Sequence, residues 1–582
     1  MKGLLLLTVL SCMCLAVNCR TSEILKVKLS HGGSLVGRYL STFKGKGIRG
    51  FLGIPYAKPP TGDLRFKAPI PFGSWDGERD ATRDSSICIQ RDPFRRDVEI
   101  EGSEDCLYLN VYTPIRDDEK TAKPLPVMVF FHGGGWQCGS GISMFYGPDF
   151  IMERENIIYI GANFRLGPLG FLSTGTKDCP GNNGLKDQVE VLRWIKENIA
   201  AFGGDPDKVT VFGESAGGAS GTYHMMSPLS KGLFHQVISQ SGANFNPWAQ
   251  PAHKGVAEKR AAKLGEMMGC EKKGDNWAEM MDCLRKAPAE DITAAFYDFF
   301  AWDTDPMIPF PPVVEPDLPG AFISVHPRDV KQPHGLPIRW MAGLTSDEGA
   351  MKSAPIINLK EVTNDMHINW DHALETSLYY DHHDYKTKQK ITQRINEYYF
   401  KNRKIEPDTH QNLTNLYTDS WFLHGMDEYF RYRFSPENKS KRGPTFVYLF
   451  NHKASASFTE IFKGGRENYF GVSHAEELQF LFPIAQWLFV SAVPTKEDLQ
   501  IRDALVEMWT NFAIYGHPTP YNSKLVTWEE ATEYPVQYLR IGNKDQESSE
   551  LIKMEKGLLQ ERADFWYEIG AHLPAKDVKD EL

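Results

Sequence analysis

Chemistry enters this chain at Gly213-Glu214-Ser215-Ala216-Gly217. A serine with a glycine two residues to either side fits Gly-x-Ser-x-Gly, a sharp turn that lifts a hydroxyl off a strand end. Val209-Thr210-Val211-Phe212 before it is a β-type run, and Ala216 can open a helix whose N–H faces whatever Ser215 attacks. The glycines relieve crowding where backbones pass closely and the turn is strained. Gly/Ser-rich turns also produce the pattern by chance, so its partners decide its meaning.

A serine hydroxyl is a weak nucleophile at neutral pH and needs a base, which an acid must orient. Where the serine sits on a strand–turn–helix elbow, the chain order is serine, acid, histidine. Downstream, the apolar run Ile338 to Leu344 enters Thr345-Ser346-Asp347-Glu348-Gly349. A carboxylate in the loop after a parallel strand stands at the functional edge of a sheet. Asp347 and Glu348 both qualify, and spacing does not choose between them. For the base, His474 lies on a turn before the apolar Leu478 to Pro483, and His517 in Tyr-Gly-His-Pro is the other glycine-flanked candidate. Asp381-His382-His383-Asp384 looks metal-like but has no third ligand cluster nearby and reads as solvated surface. His132-Gly133-Gly134-Gly135-Trp136 follows a buried run and can turn bare N–H groups toward a developing oxyanion. A phosphate-cradling loop is the rival reading, but no Gly-Lys-Ser/Thr follows.

Several elements must hold these parts. Pro126 to His132 and Ile157 to Asn163 are continuous apolar runs of the kind buried on both faces of a sheet. Val209 to Phe212, Gln236 to Ser239, Ile338 to Leu344 and Phe446 to Phe450 supply further strands, and Ile24 to Tyr56 reads as antiparallel hairpins. Gly184 to Ala200, Leu499 to Tyr515 and Leu551 to Ile569 are expected helices, with a charged, tyrosine-rich helical insertion from about Thr363 to Arg442. The alternation predicts one large α/β domain, residues 20–578, with a mostly parallel sheet covered on both faces.

The chain has 582 residues, 41% hydrophobic and 24% charged, which supplies ample core. A net charge of −10 without a basic run argues against nucleic acid as a partner. Residues 1–19 read as a signal peptide: Lys2, an apolar Leu4 to Leu10, and small residues from Ala16 to Cys19. No later run is long enough to anchor the chain in a membrane. Lys579-Asp580-Glu581-Leu582 is a signal read by a KDEL-type retention receptor, so the endoplasmic reticulum lumen is the expected address, with secretion the alternative. Asn412-Leu413-Thr414 and Asn438-Lys439-Ser440 are glycosylation sequons for that lumen. An oxidising lumen favours disulfides, and the sequence-near pairs Cys88–Cys106 and Cys270–Cys283 close loops cheaply, with Cys138 and Cys179 left over.

Taken together these blocks resemble the type-B carboxylesterase/cholinesterase family along nearly the whole mature length. Phe202-Gly203-Gly204-Asp205-Pro206 leading to the Ser215 turn is similar to the family's serine signature, and Glu104-Asp105-Cys106-Leu107-Tyr108-Leu109-Asn110-Val111-Tyr112 to its second. Gly53-Ile54-Pro55-Tyr56-Ala57, Arg65-Phe66, Asn163 to Phe171 and Gly184-Leu185-Lys186-Asp187-Gln188 match further blocks. The resemblance implies an α/β-hydrolase fold, Ser215 as nucleophile, Glu348 as acid and His474 as base. It further implies Gly134, Gly135 and Ala216 as oxyanion donors, the two disulfides, and structural ion pairs Arg65–Glu104 and Arg165–Asp187. It implies no cofactor and no metal. Insect esterases are the nearest flavour.

Departures narrow the substrate. Cholinesterases carry a tryptophan in the first disulfide loop that stacks on quaternary ammonium, and the loop between Cys88 and Cys106 has none. Juvenile hormone esterases usually carry glutamine before the serine, where this chain has Glu214. The expected activity is hydrolysis of a broad or lipophilic ester (a xenobiotic, lipid or hormone/pheromone ester). The alternative is an inactive, cholinesterase-like adhesion protein, but such members typically lose triad residues and all three are present here. Trp136, beside the glycines, is expected either to line the acyl side or to pack.

Overall fold

In the computed structural model, residues 24–572 are described except 96–97, 117–122, 252, 254, 275, 332, 466–467, 490 and 545–549. The expected signal peptide and the retention signal lie outside the described residues. A small sheet joins β1 (Lys26–Lys28), β2 (Ser34–Val36) and β5 (Glu78–Asp80). The main sheet has 11 strands in the order β14-β13-β12-β11-β10-β9-β7-β8-β6-β4-β3. In chain order they are β3 (Arg38–Ser41), β4 (Gly47–Pro55), β6 (Tyr108–Pro114), β7 (Leu125–Phe131), β8 (Ile158–Ala162), β9 (Gly204–Glu214), β10 (Gln236–Gln240), β11 (Arg339–Thr345), β12 (Thr445–Phe450), β13 (Gln537–Ile541) and β14 (Ile552–Lys556).

Strands β7 to β13 all run parallel, and antiparallel partners flank them at both edges. This is an α/β-hydrolase sheet. Its central strands are apolar throughout because helices cover both faces: Val127 to Phe131, Val237 and Ile238 are fully buried. The helix Asn183–Asn198 turns Leu185, Val189, Leu192 and Ile195 inward. The helix Lys496–Tyr515 starts at a reciprocal cap, with the Thr495 hydroxyl accepting from the Asp498 N–H and Asp498 accepting from the Thr495 N–H, and it ends on left-handed Gly516. Helices fill most of Lys360 to Arg433, where the charged insertion was expected.

One expectation fails. Leu551 to Ile569 is not a single helix: Ile552–Lys556 is strand β14, and the helix begins at Gln560. Ile552 and Met554 alternate with Lys553 and exposed Lys556, a strand period on an edge, and Gly557 at φ +78 turns the chain before the helix.

Parallel strands place the loops after β7, β9, β10, β11 and β12 at one end of the sheet. The residues with chemical capacity lie in those loops.

Candidate active site

Ser215 follows the last residue of β9 and precedes the helix Ala216–His224, at φ 56 and ψ −122. A non-glycine residue holds such a backbone only where its surroundings enforce it. They do: a Cβ on Gly217 would lie 1.8 Å from the Phe131 carbonyl oxygen, and one on Gly242 would lie 2.0 Å from that of Ser215. The Ser215 N–H donates to the Gln240 carbonyl at 2.8 Å, so β10 also pins the elbow.

After β11 the two candidate acids separate. Glu348 is fully buried, and its Oε2 lies 2.6 Å from Nδ1 of His474. Its Oε1 accepts from the Thr345 N–H (2.7 Å) and the Ser241 hydroxyl (2.5 Å). Asp347 turns to other partners: Lys544 at 2.5 Å, the Val472 N–H at 2.9 Å, the Ser346 hydroxyl and Gln411. His517 is remote from this arrangement; it accepts from the Thr519 N–H and packs on Phe446 at the start of β12, whereas the site lies at the strands' far ends.

The glycine loop supplies donors. Gly134 (φ +89) and Gly135 (φ +62) occupy backbone a side chain would strain, and a Cβ on Gly134 would meet the Cys138 carbonyl at 2.3 Å. Neither of their N–H groups, nor that of Ala216 at the helix start, has a hydrogen-bond partner among the described residues. Gln90, from the first disulfide loop, clamps this segment by accepting from the Gly139 N–H and donating to the Gly139 carbonyl. His132 is buried, stacks on Phe164 at 4.3 Å, and burial pushes its pKa down to about 4.

Residues 22–566 match the sequence profile of the carboxylesterase family. The chain belongs to the carboxylesterase family. It is 35% identical over 553 residues to the juvenile hormone esterase of Tribolium castaneum, covering 92% of each chain. It is 36% identical to venom carboxylesterase-6 of Apis mellifera (84% and 85% covered) and 34% identical to esterase FE4 of Myzus persicae (90% of each). The protein is accordingly a carboxylic ester hydrolase of the serine carboxylesterase type.

In this carboxylesterase the expected disulfides Cys88–Cys106 and Cys270–Cys283 are formed, with Cys138 and Cys179 free and buried. The Arg65–Glu104 and Arg165–Asp187 pairs are both bidentate and buried or nearly so. Trp136 is fully buried, donates to the Ser220 hydroxyl and packs among Phe171, Tyr223 and Trp248, which decides for packing. Of the sequon asparagines, Asn438 is buried and donates to the Tyr432 carbonyl, while half-buried Asn412 donates to that of Tyr399. In the run Asp381 to Asp384 both aspartates are exposed as expected and His382 is half-buried, while His383 alone is buried, against the Ala571 carbonyl. No group of three or more metal-ligating side chains occurs among the described residues.

Sequence reasoning missed the charges around the base. Glu214 Oε1 lies 2.9 Å from His474 Nε2 as an ion-pair contact, without hydrogen-bond direction. Burial pushes the His474 pKa down, but Glu214 and then Glu348 outweigh it and raise it to about 10. Glu477, three residues beyond His474, is buried, and burial together with Glu214 and Glu348 raises its carboxyl pKa to about 8. It accepts from Gln240 (3.1 Å) and Tyr448 (3.3 Å). Phe422, on the π-helical turn Asp419–Leu423, packs 4.5 Å from the imidazole. The Asn246 amide holds that turn by donating to the Trp421 and Phe422 carbonyls. The place of Glu214 beside Ser215 in the elbow and the i+3 spacing of His474 and Glu477 were the local signals for these.

Proposed function

We propose that this carboxylesterase cleaves its ester through Ser215, His474 and Glu348, with an acyl-enzyme between two half-reactions. The observation that carries the reading is the 2.6 Å contact of Glu348 with His474 Nδ1 at the sheet end where the strained Ser215 stands. Neutral His474 takes the Ser215 proton as Oγ attacks the ester carbonyl. Glu348 fixes the tautomer and stabilises the imidazolium that forms, while the N–H groups of Gly134, Gly135 and Ala216 receive the oxyanion. His474 then hands its proton to the departing alcohol, and the Ser215 ester remains. Water, deprotonated by the same imidazole, attacks that ester and releases the acid.

A lipophilic substrate suits the surroundings: Phe422 packs 4.5 Å from the His474 imidazole, and Ile308 would lie 3.3 Å from a Cβ on Gly135, so apolar side chains border both the base and the glycine loop. The test is hydrolysis of a short-chain aryl ester by wild type and Ser215→Ala. Loss of activity in the variant is expected, and full activity there would remove the assignment.

A further inference from the structure

On the far side of Trp248 lies a half-enclosed cavity of about 830 Å³, within the range of small-molecule sites. Trp248 and Ile308 form part of its wall. Trp248 packs 6.0 Å from Trp136 and 5.9 Å from Phe422, and Ile308 would lie 3.3 Å from a Cβ on Gly135. One layer of side chains therefore separates this cavity from the glycine loop. Neither the triad nor the oxyanion donors line it.

The lining combines apolar surface with a cation of unusual standing. Phe299, Val256 and Val313 extend the apolar wall. Arg328 is neutralised by a bidentate pair with Glu428, and Glu315 by Lys186. Arg260 is not: its Nη1 donates to the Pro309 carbonyl at 2.5 Å, and no carboxylate lies within ion-pair distance among the described residues. Its other N–H donors have no hydrogen-bond partner among the described residues and can meet a ligand. Two acids also line the cavity, Asp381 and Glu258, but Asp381 is exposed and Glu258 half-exposed, where water and salt screen them. His572 adds a second built feature: it is 6% exposed, its Nε2 meets the Leu378 carbonyl, and its Nδ1 has no partner among the described residues.

We infer that this cavity is a binding site for a monocarboxylate with an apolar tail, the tail lying along Val256, Phe299 and Val313 toward Trp248 and the carboxylate meeting Arg260. The surrounding histidines support an anion. Burial and then Arg328 lower His326 to about 4. His253 is lowered by burial and, more weakly, by His383 and Arg328 against Asp381, and His572 by burial, then His424. Burial is the first cause at all three and favours the neutral ring, which can still donate one N–H to an anion. A fatty-acid-like product of the protein's own class of reaction has this chemistry. The inference does not depend on which residues perform catalysis.

The experiment is calorimetric titration of decanoate into protein whose catalytic serine has been blocked by a dialkyl fluorophosphate, which loses fluoride to the serine Oγ and excludes the reaction centre. One decanoate binds per chain. Arg260→Gln weakens binding by about 10–100-fold, Arg260→Lys by less, and both hydrolyse a short aryl ester as wild type does. Acetate and decanol, carrying head or tail alone, bind far more weakly. Equal binding by Arg260→Gln, equal binding of decanol, or no binding to the blocked protein would each overturn the inference. Should Arg260→Gln fail to fold, Val256→Trp, which fills the cavity, must abolish decanoate binding while leaving ester hydrolysis intact.

Discussion

Glu214 stands 2.9 Å from Nε2 of His474, the ring nitrogen left over once Glu348 has taken Nδ1. The imidazole is thus held between two carboxylates, which stabilise its charged form and oppose the neutral form that a general base requires. The same carboxylates favour the imidazolium that develops during attack, so the arrangement trades readiness at rest against stabilisation later.

Glu214→Gln removes one of the two charges that raise His474 to about 10. With one opposing charge gone, the imidazolium loses its proton more easily, and the acid limb of kcat/KM moves to lower pH by about 1–3. Stability carries the matching sign. A raised histidine stabilises the fold fully below its unfolded value of about 6.5 and loses that contribution as pH rises toward its folded value. The variant's stability therefore falls less between neutral and alkaline pH. Measured profiles with an unmoved acid limb would contradict this.

Asp347 and Glu348 are neighbours with opposite assignments, and mutagenesis separates them. Glu348→Gln is expected to lower kcat by about 10³–10⁴, as loss of an orienting acid does, with little change in Tm. Asp347→Asn leaves Lys544 without its buried partner and costs roughly 3 kcal/mol, while activity per folded molecule is kept. Burial alone would push the Asp347 pKa up, but Lys544 and three hydrogen bonds hold it below the usual carboxylate range. Its contribution is present above about pH 4 and disappears as pH falls through the folded value. Reversed effects would exchange the two roles.

The strands and the elbow were legible because continuous apolar runs and glycine spacing are local signals: Val127 to Phe131 and Gly213 to Gly217 need no distant information. The choice of Glu348 over Asp347 was not local. It depends on Lys544 arriving from almost 200 residues away to take Asp347 and on Ser241 receiving Glu348, so only the family resemblance pointed to it beforehand. Glu214 was read as a mark of subtype, since nothing in its neighbourhood discloses that His474 will fold against it. The β14 segment misled because Ile552 and Met554 suit either period until an edge strand claims them.

Cys138 and Cys179 are buried with their thiols unoxidised. Burial, first among the causes, pushes Cys179 up to about 12 and raises Cys138 too, and thiols rather than thiolates are unreactive. An aromatic disulfide reagent should titrate neither in the native protein and both after unfolding in denaturant. Rapid native labelling of Cys138, which lies beside the glycine loop, would contradict its enclosure.

The central claim is that Ser215 is a nucleophile activated through His474 and Glu348, and covalent trapping tests it most directly. After exposure to a fluorophosphonate, peptide mass spectrometry should find one phosphonyl group on the peptide bearing Ser215 in wild type. Trapping should be slowed at least 10³-fold in His474→Ala and Glu348→Gln. An adduct on another residue, or wild-type trapping rates in both variants, would contradict the account.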